Sequence, residues 1–199
     1  MAADLARRAG LTLDNARLYE DQLSTSRTLQ RGLLPPELPD VPCAEVGVVY
    51  QPSGRSIEVG GDFYDVFPLG DDRWGFAIGD VCGKGAEAAA VTGLARHALR
   101  LLVREGLALP VVLERLNAAI LEEGERARFL TVVLGTIRPR PGGGACLTMV
   151  SAGHPLPLRL RAGGGVDFLG TPSRCSGFSR RCATRRTRRS STRVTSWSG

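Results

Sequence analysis

Two short segments, Val59-Gly60-Gly61-Asp62-Phe63-Tyr64-Asp65 and Ile78-Gly79-Asp80-Val81-Cys82-Gly83-Lys84-Gly85, each set an aspartate beside glycine on an apolar run with strand character. A carboxylate in such a run is costly to desolvate unless it is paired or bound to a cation. Asp62 and Asp80 lie eighteen residues apart, with the turn signal Gly70-Asp71-Asp72 between them. A hairpin about that turn puts the two carboxylates side by side on neighbouring strands. Close carboxylates repel each other, and a hard divalent cation relieves the repulsion. Gly-Asp alone also marks ordinary turns. Two such segments, in this order and at this spacing, are poorly explained as turns.

Leu33-Leu34-Pro35-Pro36-Glu37-Leu38-Pro39, Arg128-Phe129-Leu130-Thr131 and Ser151-Ala152-Gly153-His154-Pro155-Leu156-Pro157-Leu158 follow the same pattern of signatures. With the two Asp segments, they resemble the SpoIIE-like branch of the metal-dependent (PPM-type) serine/threonine protein phosphatases, in the family's order, over about residues 30–170. The resemblance implies an α+β fold, the αββα sandwich, and a two-metal Mn2+ or Mg2+ site that hydrolyses phosphoserine or phosphothreonine. Carried over by position, Asp62 holds one metal, Asp80 bridges both, and the Val81 carbonyl supplies a further oxygen. The implied substrate is a phosphorylated anti-sigma-factor antagonist of the STAS type, in bacterial sigma-factor regulation.

Other residues near these segments are open to more than one reading. Asp65 lies three residues after Asp62, on the opposite face of a strand. It is either a carboxylate acting on the site through water or a structural one, and Glu58 is ambiguous in the same way. Gly83-Lys84-Gly85 lacks the spacer and the Ser or Thr of a P-loop. Its glycines fit a tight turn into a helix, whose N-terminus and Lys84 favour an anionic substrate. Cys82 reads as a buried structural thiol rather than a nucleophile. His154 is a candidate proton donor to the leaving group or a loop-shaping residue. His97 reads as structural, and Arg96 and Arg100 as solvated charges or substrate contacts. The chain offers no nucleophile elbow, in keeping with chemistry that needs no protein nucleophile.

Length and composition fit one domain with added pieces. Residues 1–34 read as a long helix ended by Pro35 and Pro36. Its stripe of Leu5, Ala9, Thr12, Ala16, Tyr19 and Leu23 serves either packing on its own domain or pairing between subunits, which makes a homodimer an expectation. The segment Leu11 to Tyr19 also resembles the last helix of a GAF sensor domain. Residues 35–170 form the phosphatase-like domain. Strands are expected at Ala44–Gln51, Phe63–Leu69, Trp74–Val81, Phe129–Ile137, Ala145–Ala152, Leu156–Leu160 and Val166–Leu169. Helices are expected from Ala86 to about Gly106 and from Pro110 to about Gly124.

Residues 171–199 contain eight Arg and no acidic residue, which leaves 18 basic and 20 acidic residues in the rest of the chain. The body is therefore near neutral, against nucleic-acid binding. Lys84 is the only lysine among 26 basic residues, a sign of GC-biased coding. The tail thus reads as a frameshifted or disordered segment without strands, lacking the family's later metal-binding Asp residues. An inactive binding module is accordingly the alternative to an active phosphatase. Five cysteines without CxxC spacing, no apolar leader and no membrane-length run point to a reduced, cytoplasmic, non-membrane setting.

Overall fold

The structure is a computed structural model, and it describes residues 2–50, 60–170, 187–190 and 194–195. Helix α1 (Ala2–Leu33) is followed by the hairpin β1 (Asp62–Gly70) and β2 (Arg73–Val81), then by helices α2 (Ala86–Arg104) and α3 (Leu109–Glu122). Strands β3 (Leu130–Pro139) and β4 (Ala145–Ala152) come next, then the short β5 (Leu158–Leu160), β6 (Val166–Phe168), β7 (Thr187–Ser190) and β8 (Val194–Thr195). One sheet has the order β1-β2-β3-β4-β7 and the other β6-β5-β8, every ladder being antiparallel.

The first hairpin closes where its turn residues dictate. Asp71 and Asp72 both take left-handed conformations (φ 49° and 50°) between Gly70 and Arg73. Two successive left-handed residues match the right-handed twist of the flanking strands, and Asp tolerates that region better than most side chains. Pro68 sits in β1 without breaking an interior ladder, because β1 is the edge of the sheet.

Glycines inside the strands make room for aromatic rings. Phe63 pairs with Gly79, Phe67 with Gly75, and Phe76 with Gly135 in the strand register. A Cβ at Gly75 would lie 2.4 Å from the Phe67 ring, and one at Gly135 would lie 2.3 Å from the Phe76 ring. Each ring lies across the bare backbone of its partner.

The main core lies between this sheet and the helix layer. Ala88, Val91, Ala95, Leu99 and Val103 of α2 recur at helical spacing and are buried with Leu113, Leu116 and Ile120 of α3. They meet Phe63, Phe67, Ala77, Val81, Leu130, Val132 and Leu134 from the strands. Each fully buried Val, Leu, Ile or Phe among them contributes about 1.5–3 kcal/mol. Pro110 stands in the first turn of α3, where its missing N–H costs nothing. A second cluster, with Val66, Trp74, Val133, Ile137, Leu147 and Met149, covers the opposite face of the sheet.

Two expectations change. The alternation of Ala44–Gln51 is not a strand through residue 50, and Gln51 lies outside the described residues. Val41, Cys43 and Val46 instead pack as an irregular cover on the second cluster, with a turn from the Ala44 N–H to the Val41 carbonyl. Val48 and Val49 stay exposed, so the apolar alternation there does not report a buried strand face. The tail, in turn, contributes β7 on the free edge of β4 and β8 on β5. An edge strand pairs through its backbone, so an Arg/Thr/Ser run with no apolar pattern still extends it. The remaining expectation of a disordered or frameshifted tail falls on residues outside those described.

Candidate metal centre

Asp62 and Asp80 are directly opposed across β1 and β2, and Asp80 is directly opposed to Thr131 across β2 and β3. Opposed residues of an antiparallel ladder project to the same face. Asp62, Asp80 and Thr131 therefore form one lateral row over three strands. The loop after β4 extends the row. Gly153, left-handed at φ 70°, bridges to Val132, and the next residue places its ring Nδ1 2.9 Å from the Thr131 hydroxyl. That residue is His154.

The two carboxylates of the row act on each other. Partial burial and the facing Asp80 both push the Asp62 carboxyl above its ordinary range. Burial lowers the His154 imidazole, while the charge of Asp80 acts on it in the opposite direction.

Gly61 explains how Val81 joins. A Cβ at Gly61 would lie 1.9 Å from the Val81 carbonyl oxygen, so only glycine permits this approach. The Val81 N–H also donates to the Gly61 carbonyl at 3.1 Å. The Thr92 hydroxyl of α2 donates to that same carbonyl at 3.2 Å, tying the helix to the residue before Asp62. Two carboxylates and a closely held carbonyl are hard oxygen donors, the set that suits Mg2+ or Mn2+. The residues present fit such a cation. Among the described residues no third His, Cys, Asp or Glu completes a metal-holding group with them.

Asp65 faces away from the row. It is 1% exposed and turned toward α2, where it accepts from Arg100 Nε at 2.8 Å and Nη2 at 2.5 Å, with Arg96 3.9 Å away. Arg96 is itself buried and donates to the Gly32 carbonyl of α1 at 3.5 Å. The two arginines are therefore neither solvated charges nor aimed at the carboxylate row; they anchor α2 to β1. Arg100 also lies over the Phe67 ring, 5.3 Å from its centroid.

Lys84 is exposed between Gly83 and Gly85, both left-handed, where the chain turns from β2 into α2. Cys82 is exposed rather than buried, because the sheet face ends at Val81 and the next N–H bonds the Phe129 carbonyl. His97 is an exposed neighbour of Arg96, with Nε2 3.2 Å from its guanidinium. Glu58 lies outside the described residues. The roles of Thr131, Thr92 and Arg100 depend on strand register and helix docking, which no local motif announces.

The family model described as Stage II sporulation protein E (SpoIIE) matches residues 70–183. The chain belongs to the SpoIIE family. The match takes in Asp80, Thr131 and His154 and runs past the compositional break at residue 171. SpoIIE-type domains are PPM phosphatases, and this family of phosphoprotein phosphatases is metal-dependent. Protein IcfG of Synechocystis sp. is 35% identical, over 67% of this chain and 24% of its own length. The chain thus spans about a quarter of that relative.

Among solved structures, the RsbU and RsbW domains of Rv1364c from Mycobacterium tuberculosis align with a TM-score of 0.54 and 28% identity, over 68% of this chain and 36% of theirs. The SiaA-PP2C domain of Pseudomonas aeruginosa aligns with a TM-score of 0.61 and 21% identity, over 88% of this chain and 68% of its own. RsbX in complex with magnesium shares the fold at a TM-score of 0.51 and 19% identity, over 68% and 62% of the respective chains. The α+β architecture is that of the PP2C-type phosphatases. Among the described residues no helix is long and apolar enough to cross a membrane.

Proposed function

We propose that this SpoIIE-family chain carries the metal-dependent site of a protein serine/threonine phosphatase, with Asp62, Asp80 and the Val81 carbonyl as its metal-holding groups. The observation that carries the reading is the direct opposition of Asp62 and Asp80, with the Asp62 carboxyl raised by burial and by its neighbour. A divalent cation bound there supplies activation of water for in-line attack on phosphorus and charge compensation for the phosphoryl oxygens. The protein's own part is to fix the two carboxylates across a two-strand ladder and to hold the Val81 carbonyl against Gly61. Lys84, at the turn into α2, adds positive charge for an anionic phosphopeptide.

The substrate we propose is a phosphorylated anti-sigma-factor antagonist of the STAS type, in a sigma-factor regulatory system. Support comes from the family's signatures and from the likeness to the RsbU-containing chain of Mycobacterium tuberculosis. The test is phosphate release from a phosphorylated STAS protein with Mn2+ supplied, then withdrawn by chelator. Release that depends on Mn2+ and disappears in Asp80→Asn supports the reading. Release that persists in Asp80→Asn removes that residue from the mechanism.

A second reading is favoured by one observation: the described residues supply only two carboxylates. A site so limited binds cations weakly and serves an inactive binding module. Stable capture of the phosphorylated STAS protein without phosphate release is the outcome that reading requires.

A further inference from the structure

His154 is fixed at three points. Its preceding residue bridges to Val132, its carbonyl accepts from the Ser151 hydroxyl at 3.2 Å, and its ring Nδ1 meets the Thr131 hydroxyl at 2.9 Å. The first two contacts already hold the loop, so the third is left to orient the ring. Thr131 in turn stands opposite Asp80, and the imidazole is half-buried within reach of that carboxylate's charge.

We propose that His154 contacts the phosphoryl group and that Thr131 is its positioning residue: the Thr131 hydroxyl donates to Nδ1, and Nε2–H is thereby presented to a phosphoryl oxygen seated beside Asp80. The proposal rests on the phosphatase reading of the site. The chemistry of the row calls for such a donor. Asp62 and Asp80 are acceptors when ionised, and the Thr131 hydroxyl hydrogen is spent on Nδ1. A phosphoryl group offers only acceptor oxygens to a protein, and a donor held by a second hydrogen bond needs little reorganisation to meet one.

The experiment uses the full chain, Mg2+ and inorganic phosphate as the probe. Imidazole 15N NMR of the metal-free chain should show the Nε2–H tautomer at His154 with Nδ1 shifted as a hydrogen-bond acceptor, and Thr131→Val should remove that hydrogen-bond shift; an Nδ1–H tautomer in the unaltered chain overturns the positioning role. With Mg2+ saturating, His154→Ala should weaken phosphate binding about tenfold or more in calorimetry, tenfold being the lower end for one hydrogen bond to a charged group. His154→Gln, which keeps an N–H donor, should recover part of it. Mg2+ affinity should stay within about twofold throughout, since a residue contacting only phosphate leaves the cation's ligands intact.

Unchanged phosphate affinity in His154→Ala, with Mg2+ binding retained, overturns the contact. Loss of Mg2+ binding in that variant overturns it too, by making His154 part of the metal-holding set. An unaltered chain that binds no Mg2+ overturns the metal reading first, and this proposal with it.

Discussion

Asp62 and Asp80 face each other as opposed residues of β1 and β2, and the Asp62 carboxyl is raised by partial burial and by that proximity. A carboxyl raised in the folded state favours folding while it is protonated. That contribution is lost as pH rises through its folded value. Without metal, the pair should therefore destabilise the chain at neutral pH, and the penalty should fade on acidification toward the ordinary carboxylate range. Asp62→Asn should raise the neutral-pH Tm of the metal-free protein slightly, solvent screening keeping the gain small at this exposed position, and flatten its dependence on pH. Thermal melts between pH 4 and 7 decide this; a lower Tm in the variant would mean that Asp62 is already compensated.

Asp65 and Arg100 form a different kind of pair. The carboxylate is buried, the guanidinium binds it through two nitrogens, and the contact joins β1 to α2. Arg100→Ala leaves a buried carboxylate with only the more distant Arg96 and should cost about 3 kcal/mol, the lower end for breaking such a pair. Denaturant unfolding measures it, and a change below about 1 kcal/mol would place the pair among weak surface contacts. Asp65→Leu with Arg100→Leu should lose less than Arg100→Ala, because no unpaired charge remains.

Gly61 separates site geometry from general stability. Gly61→Ala puts a Cβ where the Val81 carbonyl oxygen now lies. It should displace that oxygen and weaken Mn2+ binding about tenfold or more, the order of loss seen when support around a metal site is disturbed. Gly135→Ala, which collides with the Phe76 ring far along the sheet, should instead cost about 1–3 kcal/mol of stability as an overpacked core does. Equal effects of the two variants on Mn2+ affinity would deny Gly61 its special place.

Helix α1 leaves Leu11, Leu13, Leu18, Tyr19 and Leu29 exposed, while its last turn meets α2 through Leu33 and the Gly32 carbonyl. Ala9, Thr12, Ala16 and Tyr19 of the expected stripe are exposed, so packing on its own domain is seen at the last turn rather than along the stripe. Deleting residues 1–30 should shift the protein toward monomer in light scattering; an unchanged mass would leave the helix a purely intrachain element.

The hairpin and its carboxylates were legible because they are local. A Gly-Asp-Asp turn halfway between two Gly-Asp strands fixes the pairing of Asp62 with Asp80 almost by symmetry. The helices followed from apolar spacing and Pro110. Thr131 with His154 was not legible, since their bond needs the β3 register and a bridge from Val132 to Gly153. Arg100 finds Asp65 across 35 residues, a contact set by how α2 docks. The alternation at Ala44–Gln51 misled because an apolar residue need not be buried: Val48 and Val49 are exposed, and no neighbouring strand bonds this segment among the described residues. The pairing of β7 with β4 was hidden in the opposite way, because backbone pairing at an edge leaves no apolar pattern to read.

The central claim is that the opposed aspartates hold a divalent cation, and Mn2+ binding to the full chain tests it most directly. Electron paramagnetic resonance of Mn2+ titrated into the unaltered chain should show bound ion, with Asp80→Asn abolishing the binding and Asp62→Asn weakening it. Both variants should remain folded by circular dichroism. Mn2+ bound equally well by the unaltered chain and by folded Asp80→Asn would contradict the account.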